Sequence, residues 1–166
     1  LHTIGNIQAV QGIKITSQVQ GKIDKIYFKS GENINKGDLI IELEHKNLEA
    51  QLDGAKAKQH LNKMTYQRDK VLFDKNVLPQ SKIDQDIEIL KSDQANIDQI
   101  NAQINYNKIR APFSGKIGIR QISVGQYIAP GDIITTLNTI DPIYVNFDLT
   151  QQQLSHIKRN QSINLT

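Results

Sequence analysis

Residues 21–43, GKIDKIYFKSGENINKGDLIIEL, and residues 115–137, GKIGIRQISVGQYIAPGDIITTL, are two versions of one pattern. Gly21-Lys22-Ile23 returns 94 positions later as Gly115-Lys116-Ile117. The same offset, without a gap, pairs Gly31 with Gly125, Ile34 with Ile128, Gly37-Asp38 with Gly131-Asp132, Leu39-Ile40 with Ile133-Ile134 and Leu43 with Leu137. Short apolar runs between glycines predict short strands joined by tight turns, glycine supplying the positive φ such turns need. Gly21, Gly31, Gly37, Gly115, Gly125 and Gly131 are therefore the predicted structural turn positions. In Ala129-Pro130-Gly131-Asp132 proline presets the first central φ and glycine accepts the left-handed second one, the requirement of a type II turn, and Asn35-Lys36-Gly37-Asp38 is expected to turn the same way. A copy of about 25 residues cannot bury a core alone, so the halves are expected to pack on each other as one small β-sandwich.

Working outward, the segment between the copies changes character. From Lys46 to Lys108 it is rich in Gln, Asn, Asp, Lys and Ala, with a single proline at Pro79, and it predicts two antiparallel helices that break at Asn76-Val77-Leu78-Pro79. In the second helix Ile83, Leu90, Ile97 and Ile104 recur every seven residues. Ile87 adds a second seam position that Gln94 and Asn101 dilute. The first helix offers two stripes: Leu48, Leu52, Ala55, Tyr66 and Phe73, or Ala57, Leu61, Met64 and Val71. Residues 46–75 hold seven basic and four acidic side chains, residues 80–105 two basic and five acidic, so the opposed arms attract; any single exposed pair is worth under about 1 kcal/mol. Ala111-Pro112-Phe113 returns the chain to the second copy.

Outside the repeat, Ile13-Lys14-Ile15 alternates, residues 142–149 read as a strand, Gln151 to Arg159 as a short helix, and Ser162 to Thr166 as the start of another strand, so the last module is expected to be incomplete. No segment is apolar and long enough to span a bilayer, and an anchor, if used, is expected upstream of Leu1.

Composition narrows the function. The chain has 166 residues, 38% hydrophobic and 5% aromatic without Trp, which suits an elongated molecule of small modules. Its 20 basic and 17 acidic residues give +3, but the basic ones are spread out and not interleaved with aromatics, which argues against nucleic acid as a partner. There is no cysteine. His2, His45, His60 and His156 are scattered, without helical ligand spacing, and read as surface residues, so no metal site is expected. No nucleophile elbow, phosphate-cradling loop or paired carboxylates in an apolar context offers a catalytic or cofactor-binding residue.

Two glycine-punctuated halves that resemble a biotinyl/lipoyl domain, separated by a helical hairpin and followed by a strand-rich module, resemble the HlyD/AcrA-type periplasmic adaptors, or membrane fusion proteins. The local carriers are Gly21-Lys22-Ile23 with Gly31 and Gly37-Asp38, Leu48-Glu49-Ala50-Gln51-Leu52, and above all Ile109-Arg110-Ala111-Pro112-Phe113-Ser114-Gly115. The run Asp141-Pro142-Ile143-Tyr144-Val145 is similar to the β-barrel start in adaptors of RND-type exporters.

The resemblance implies a mixed α/β, elongated, multi-module fold. A lipoyl-like β-sandwich (13–44 and 110–138) is split by an antiparallel coiled-coil hairpin (45–109), with parts of a β-barrel at 1–12 and 139–166. It also implies a non-enzymatic periplasmic subunit, anchored to the inner membrane, that links an RND-type transporter to a TolC-type outer-membrane channel in multidrug efflux and self-associates into a trimer or hexamer ring. Limited hinging is expected at the hairpin base and at Thr139 to Pro142. In that family the hairpin tip docks on the channel through an Arg, a Leu four residues later and a Ser in the turn. Arg68 and Leu72 match; Pro79 occupies the Ser position and Ser81 follows two residues on. The plainer alternative pairs Arg68 with Asp69 or Asp84 and puts Leu72 in the seam.

Two alternative functions remain, an adaptor of an ABC or type I secretion system and a lipoyl or biotinyl carrier. A carrier needs a lysine on a free loop tip. Here Asn47 falls at that position and Lys46 at a helix base.

Overall fold

The computed structural model describes residues 5–147. The helix expected at Gln151 to Arg159 and the strand expected at Ser162 to Thr166 lie outside them. In chain order the elements are β1 (Gly5–Ala9), β2 (Gly12–Thr16), β3 (Gly21–Ile26), β4 (Asn33–Ile34), β5 (Leu39–Leu43), α1 (Lys46–Asp74), α2 (Gln80–Tyr106), β6 (Lys108–Arg110), β7 (Gly115–Ile117), β8 (Tyr127–Ile128), β9 (Ile133–Asn138) and β10 (Ile143–Phe147).

Neither half of the repeat forms a sheet of its own. One four-stranded sheet has the order β2-β9-β7-β4 and the other β6-β5-β3-β8, so each takes two strands from each half. The 94-residue offset carries β2, β3, β4 and β5 onto β6, β7, β8 and β9, and thereby carries one sheet onto the other. The loop hydrogen bonds repeat as well. Gly31 N–H donates to the Ile117 carbonyl (3.0 Å) and Gly125 N–H to the Ile23 carbonyl (2.9 Å); Gly37 N–H reaches Ala111 O (2.8 Å) and Gly131 N–H reaches Ser17 O (2.9 Å). The structural repeat thus extends back to Ser17 and Ala111, beyond the first identical glycines. Its core is duplicated too: Ile23, Phe28, Ile34, Ile40 and Leu43 meet their counterparts Ile117, Ile122, Ile128, Ile134 and Leu137 in one buried cluster.

Four of the six glycines sit in turns. Gly31 and Gly125 have φ of 80° and 84°, Gly37 and Gly131 of 90° and 93°. Asp38 N–H donates to Asn35 O and Asp132 N–H to Ala129 O, both at 3.1 Å, closing the two equivalent turns. Gly21 and Gly115 differ from expectation. They open strands β3 and β7, where crowding and not turn geometry acts: it excludes a side chain at Gly115 and leaves little room for one at Gly21. A Cβ on Gly115 would collide with the Asn138 carbonyl oxygen of the neighbouring strand, and one on Gly21 would lie 3.3 Å from Leu43 Cδ1.

The helices leave between β5 and β6, which are themselves paired, so both roots of the excursion are fixed in one sheet. At 1.5 Å per residue the 29-residue α1 extends roughly 43 Å. It ends in a Schellman motif: Asn76 takes a left-handed φ of 57°, Val77 N–H donates to Leu72 O and Asn76 N–H to Phe73 O. Away from the repeat, β1 pairs antiparallel with β10 as a separate two-stranded sheet, with Asn146 Nδ2 donating to Gln8 Oε1 at 2.9 Å.

Candidate functional site

The helix pair is rooted in the paired strands β5 and β6, and its seam determines which of its side chains remain outside. In α1 the half-buried or buried positions include Leu48, Leu52, Ala55, Gln59, Asn62, Tyr66, Asp69 and Phe73, an unbroken alternation of four and three residues, with Thr65 and Leu72 half-buried beside it. The first of the two stripes read from the sequence therefore faces α2, and Leu61, Met64 and Val71 of the other are exposed. In α2 the seam holds Ile83, Leu90, Ile97 and Ile104 as expected, but its second position is Asp86, Asp93 and Ile100. Ile87 is only half-buried and lines a shallow groove on one flank with Lys63, Tyr66, Leu90 and Gln94. Apolarity pointed to Ile87; the seven-residue spacing from Asp86 through Asp93 to Ile100 was the available signal for the true seam.

Those buried carboxylates are held by neighbours. Asn62 Nδ2 donates to Asp93 Oδ2 at 2.6 Å, and Lys58 Nζ lies 3.7 Å from Asp93 Oδ1. Lys82 bridges Asp86 and Asp69, the latter at 3.1 Å, and these two carboxylates hold its ammonium above the ordinary lysine range. Asp86 Oδ2 is buried without a partner. Of the cross-helix ion pairs, only Lys58–Asp93 has the polarity of the charge asymmetry between the arms, since Lys82 lies on the acidic arm and Asp69 on the basic one. Lys56, Lys63, Lys70 and Lys75 form no ion pair within the described residues. Most of the asymmetry is not consumed inside the pair.

Arg68 is exposed and pairs with neither Asp69 nor Asp84: Asp69 takes Lys82, and Asp84 accepts a hydrogen bond from Gln80. Leu72 is half-buried beside the seam. Pro79 is the exposed N-cap residue of α2, and Ser81 is exposed in its first turn. Thus Arg68 and Leu72 lie on the last two turns of α1, and Pro79 and Ser81 at the start of α2. Of the two histidines among the described residues, His60 is exposed as expected, whereas His45, at the root of α1, is 9% exposed; His2 and His156 lie outside them. No group of three or more His, Asp or Glu side chains gathers as a metal site among the described residues, and no described helix is long and apolar enough to cross a membrane.

Residues 11–140, which contain both four-stranded sheets and the helix pair, match the family described as "RND MFP, barrel-sandwich hybrid domain". The chain belongs to the RND membrane fusion protein family. Among its relatives, multidrug resistance protein MdtA of Proteus mirabilis is 32% identical over 176 residues, covering 95% of this chain and 42% of that protein. MdtA of Photorhabdus laumondii is 32% identical over 182 residues, 97% of this chain and 44% of that protein. The chain therefore spans less than half the length of these curated relatives. In fold, this membrane fusion protein resembles a MacA-MexA chimeric protein containing the Pseudomonas aeruginosa MexA α-hairpin domain, with a TM-score of 0.80 and 23% identity over 94% of this chain and 57% of that one. It also resembles a putative efflux transporter from Bacteroides eggerthii, with a TM-score of 0.73 and 20% identity over 91% of this chain and 46% of that one.

Proposed function

We propose that this protein is a periplasmic adaptor, held at the inner membrane, that joins an RND-type transporter to a TolC-type outer-membrane channel in multidrug efflux. It works by shape and not by catalysis. Residues 13–44 and 110–138 act as the lipoyl-like domain, residues 45–109 as a coiled-coil hairpin, and residues 1–12 and 139–166 as parts of a β-barrel that faces the transporter. Copies stack into a trimer or hexamer ring whose hairpins form a tube.

One observation carries the reading. The helix pair has already filled its own seam, yet Ala57, Leu61, Met64 and Val71 remain exposed as a second stripe at heptad spacing on the outer side of α1. Leu61 and Val71 are 63% and 53% exposed. A helix with two such stripes is suited to pack against further helices. The flanking lysines are complemented by Asp84, Glu88 and Asp98 on α2, so α1 of one copy fits α2 of the next better than it fits another α1. Arg68, Leu72, Pro79 and Ser81 then form the docking end toward the channel.

The test is drug and detergent susceptibility of the source bacterium after deletion of the full-length gene, with restoration by wild type or by Arg68→Asp. Broad hypersensitivity that wild type rescues and Arg68→Asp does not is the expected result. Unchanged susceptibility on deletion would favour an adaptor of a secretion system, and full rescue by Arg68→Asp would remove Arg68 from the docking end.

A further inference from the structure

His45 occupies the joint between strand β5 and helix α1, and each of its ring nitrogens faces an oxygen. Nδ1 lies 2.7 Å from the Leu43 carbonyl, which can only accept, so Nδ1 carries a hydrogen. Nε2 lies 3.5 Å from Glu42 Oε1 and 3.3 Å from Glu49 Oε1. Glu42 belongs to the β-domain and Glu49 to the first turn of the helix. With Nε2 unprotonated, its lone pair would meet two carboxylates. With Nε2 protonated, one buried ring ties the helix to the sheet.

We infer that His45 is the positioning residue of this joint: its doubly protonated form clamps α1 against β5 through Glu42 and Glu49, and loss of the proton releases the clamp. Also near the pair are Lys108 of β6, 3.9 Å from Glu42 Oε1, Lys25 of β3, and the uncharged Tyr27, just beyond β3, whose hydroxyl donates to Glu42 Oε2 at 2.6 Å; Glu44 and Lys46 flank His45 in the chain and are exposed. Lys108 opposes a second cation on that oxygen, and Glu49 offsets it from the helix side. The Tyr27 hydrogen bond is the main reason why the Glu42 carboxyl titrates below its ordinary value, with His45, Lys108 and Lys25 adding to it against burial. Glu42 is therefore an anion throughout the range in which histidine exchanges its proton.

The clamp matters because both roots of the helix pair converge here. Leu43 N–H donates to Asn107 O beneath the end of α2, and Glu49 N–H to His45 O at the start of α1. A small rotation at this point is multiplied along the full length of the helices. The consequence for the pump rests on the adaptor reading above, whereas the clamp itself is a property of the joint and is tested there.

Residues 1–166 hold no cysteine, so in the full-length protein, with any cysteine outside these residues replaced by serine, spin labels can be placed at Ser92→Cys on α2 and Ser123→Cys on the β-domain. The label-to-label distance distribution is then recorded between about pH 5 and pH 8, the window in which histidine changes charge. Wild type is expected to lose its narrow acidic distribution as the pH rises. His45→Gln, which donates a hydrogen bond without titrating, is expected to lose the pH response, and His60→Gln, on the exposed face of α1, to keep it. Glu49→Gln removes one arm of the clamp through an exposed carboxylate and should weaken the response even if His45→Gln folds poorly. An unchanged wild-type distribution, an undiminished response in His45→Gln, or a full response in Glu49→Gln would each overturn the inference. None of these outcomes depends on whether the protein couples an efflux pump.

Discussion

The root and the far end of the helix pair follow the same seven-residue geometry with different chemistry. Near the sheets, Leu48, Leu52 and Ala55 pack against Ile97, Ile100 and Ile104 as an apolar cluster. Toward the tip the same seam mixes Tyr66, Phe73, Ile83 and Leu90 with the polar Gln59, Asn62, Asp69, Asp86 and Asp93, for which Lys82 and Lys58 are counter-charges. Apolar layers supply stability by removing surface from water but tolerate a slip of register; polar layers contribute little stability and penalise any register that leaves a charge unpaired. The root is thus the wholly apolar part of the seam, and the polar layers that specify alignment all lie toward the tip. The docking end proposed above would need alignment more than it needs stability.

The largest expected effect falls on the root. Ile97→Ala should destabilise the protein by about 3 kcal/mol in urea unfolding followed by helical circular dichroism, the usual cost of hollowing out a buried isoleucine site. A loss no greater than that of a surface substitution would break the contrast.

At the tip the sign reverses. Asp86→Leu removes a carboxylate with one unpartnered buried oxygen while Lys82 keeps Asp69, so it should be stabilising by about 1 kcal/mol. The same variant should broaden the cross-helix distances of a labelled pair, since one register-setting layer is gone. A strong destabilisation would show that the polar layers also carry the stability.

Acidity sharpens the comparison at the joint. Glu42 titrates below 4.5 in the folded protein, so its contribution is complete above that value and is lost as the pH falls through the folded one. Tyr27→Phe removes the largest cause of the shift, and the fall in the urea midpoint on acidification should become shallower. An identical acid limb in the two proteins would assign the loss to other carboxylates. The smallest stability change belongs to Arg68→Asp, within about 0.5 kcal/mol because the side chain is exposed and unpaired. Its effect is expected in docking alone.

Much of this was legible because it is local. Gly31, Gly37, Gly125 and Gly131 announce turns by backbone necessity, and the Asn76 to Pro79 break ends a helix whatever surrounds it. The seam of α1 could be narrowed to two stripes but not chosen, since Leu61, Met64 and Val71 are as apolar as Tyr66 and Phe73. In α2 apolarity favoured Ile87 over Asp86, whose burial is compensated by Lys82, itself held by Asp69 of the other helix. His45 read as a surface residue for the same reason: Leu43, Glu42 and Glu49 become its partners only when strand and helix meet.

By itself, then, the sequence determined what each stretch does within a few residues: where the chain turns, where it is helical, and that the β pattern occurs twice. Only the tertiary structure decided that the halves exchange strands between two sheets, that carboxylates belong in the seam, and that Gly21 and Gly115 answer to crowding from Leu43 and Asn138 and not to turns. The physical reason is range. Backbone sterics act between neighbours in the chain, whereas burial and charge pairing depend on groups brought together from far apart in it, such as Gly115 and Asn138, or Asp69 and Lys82.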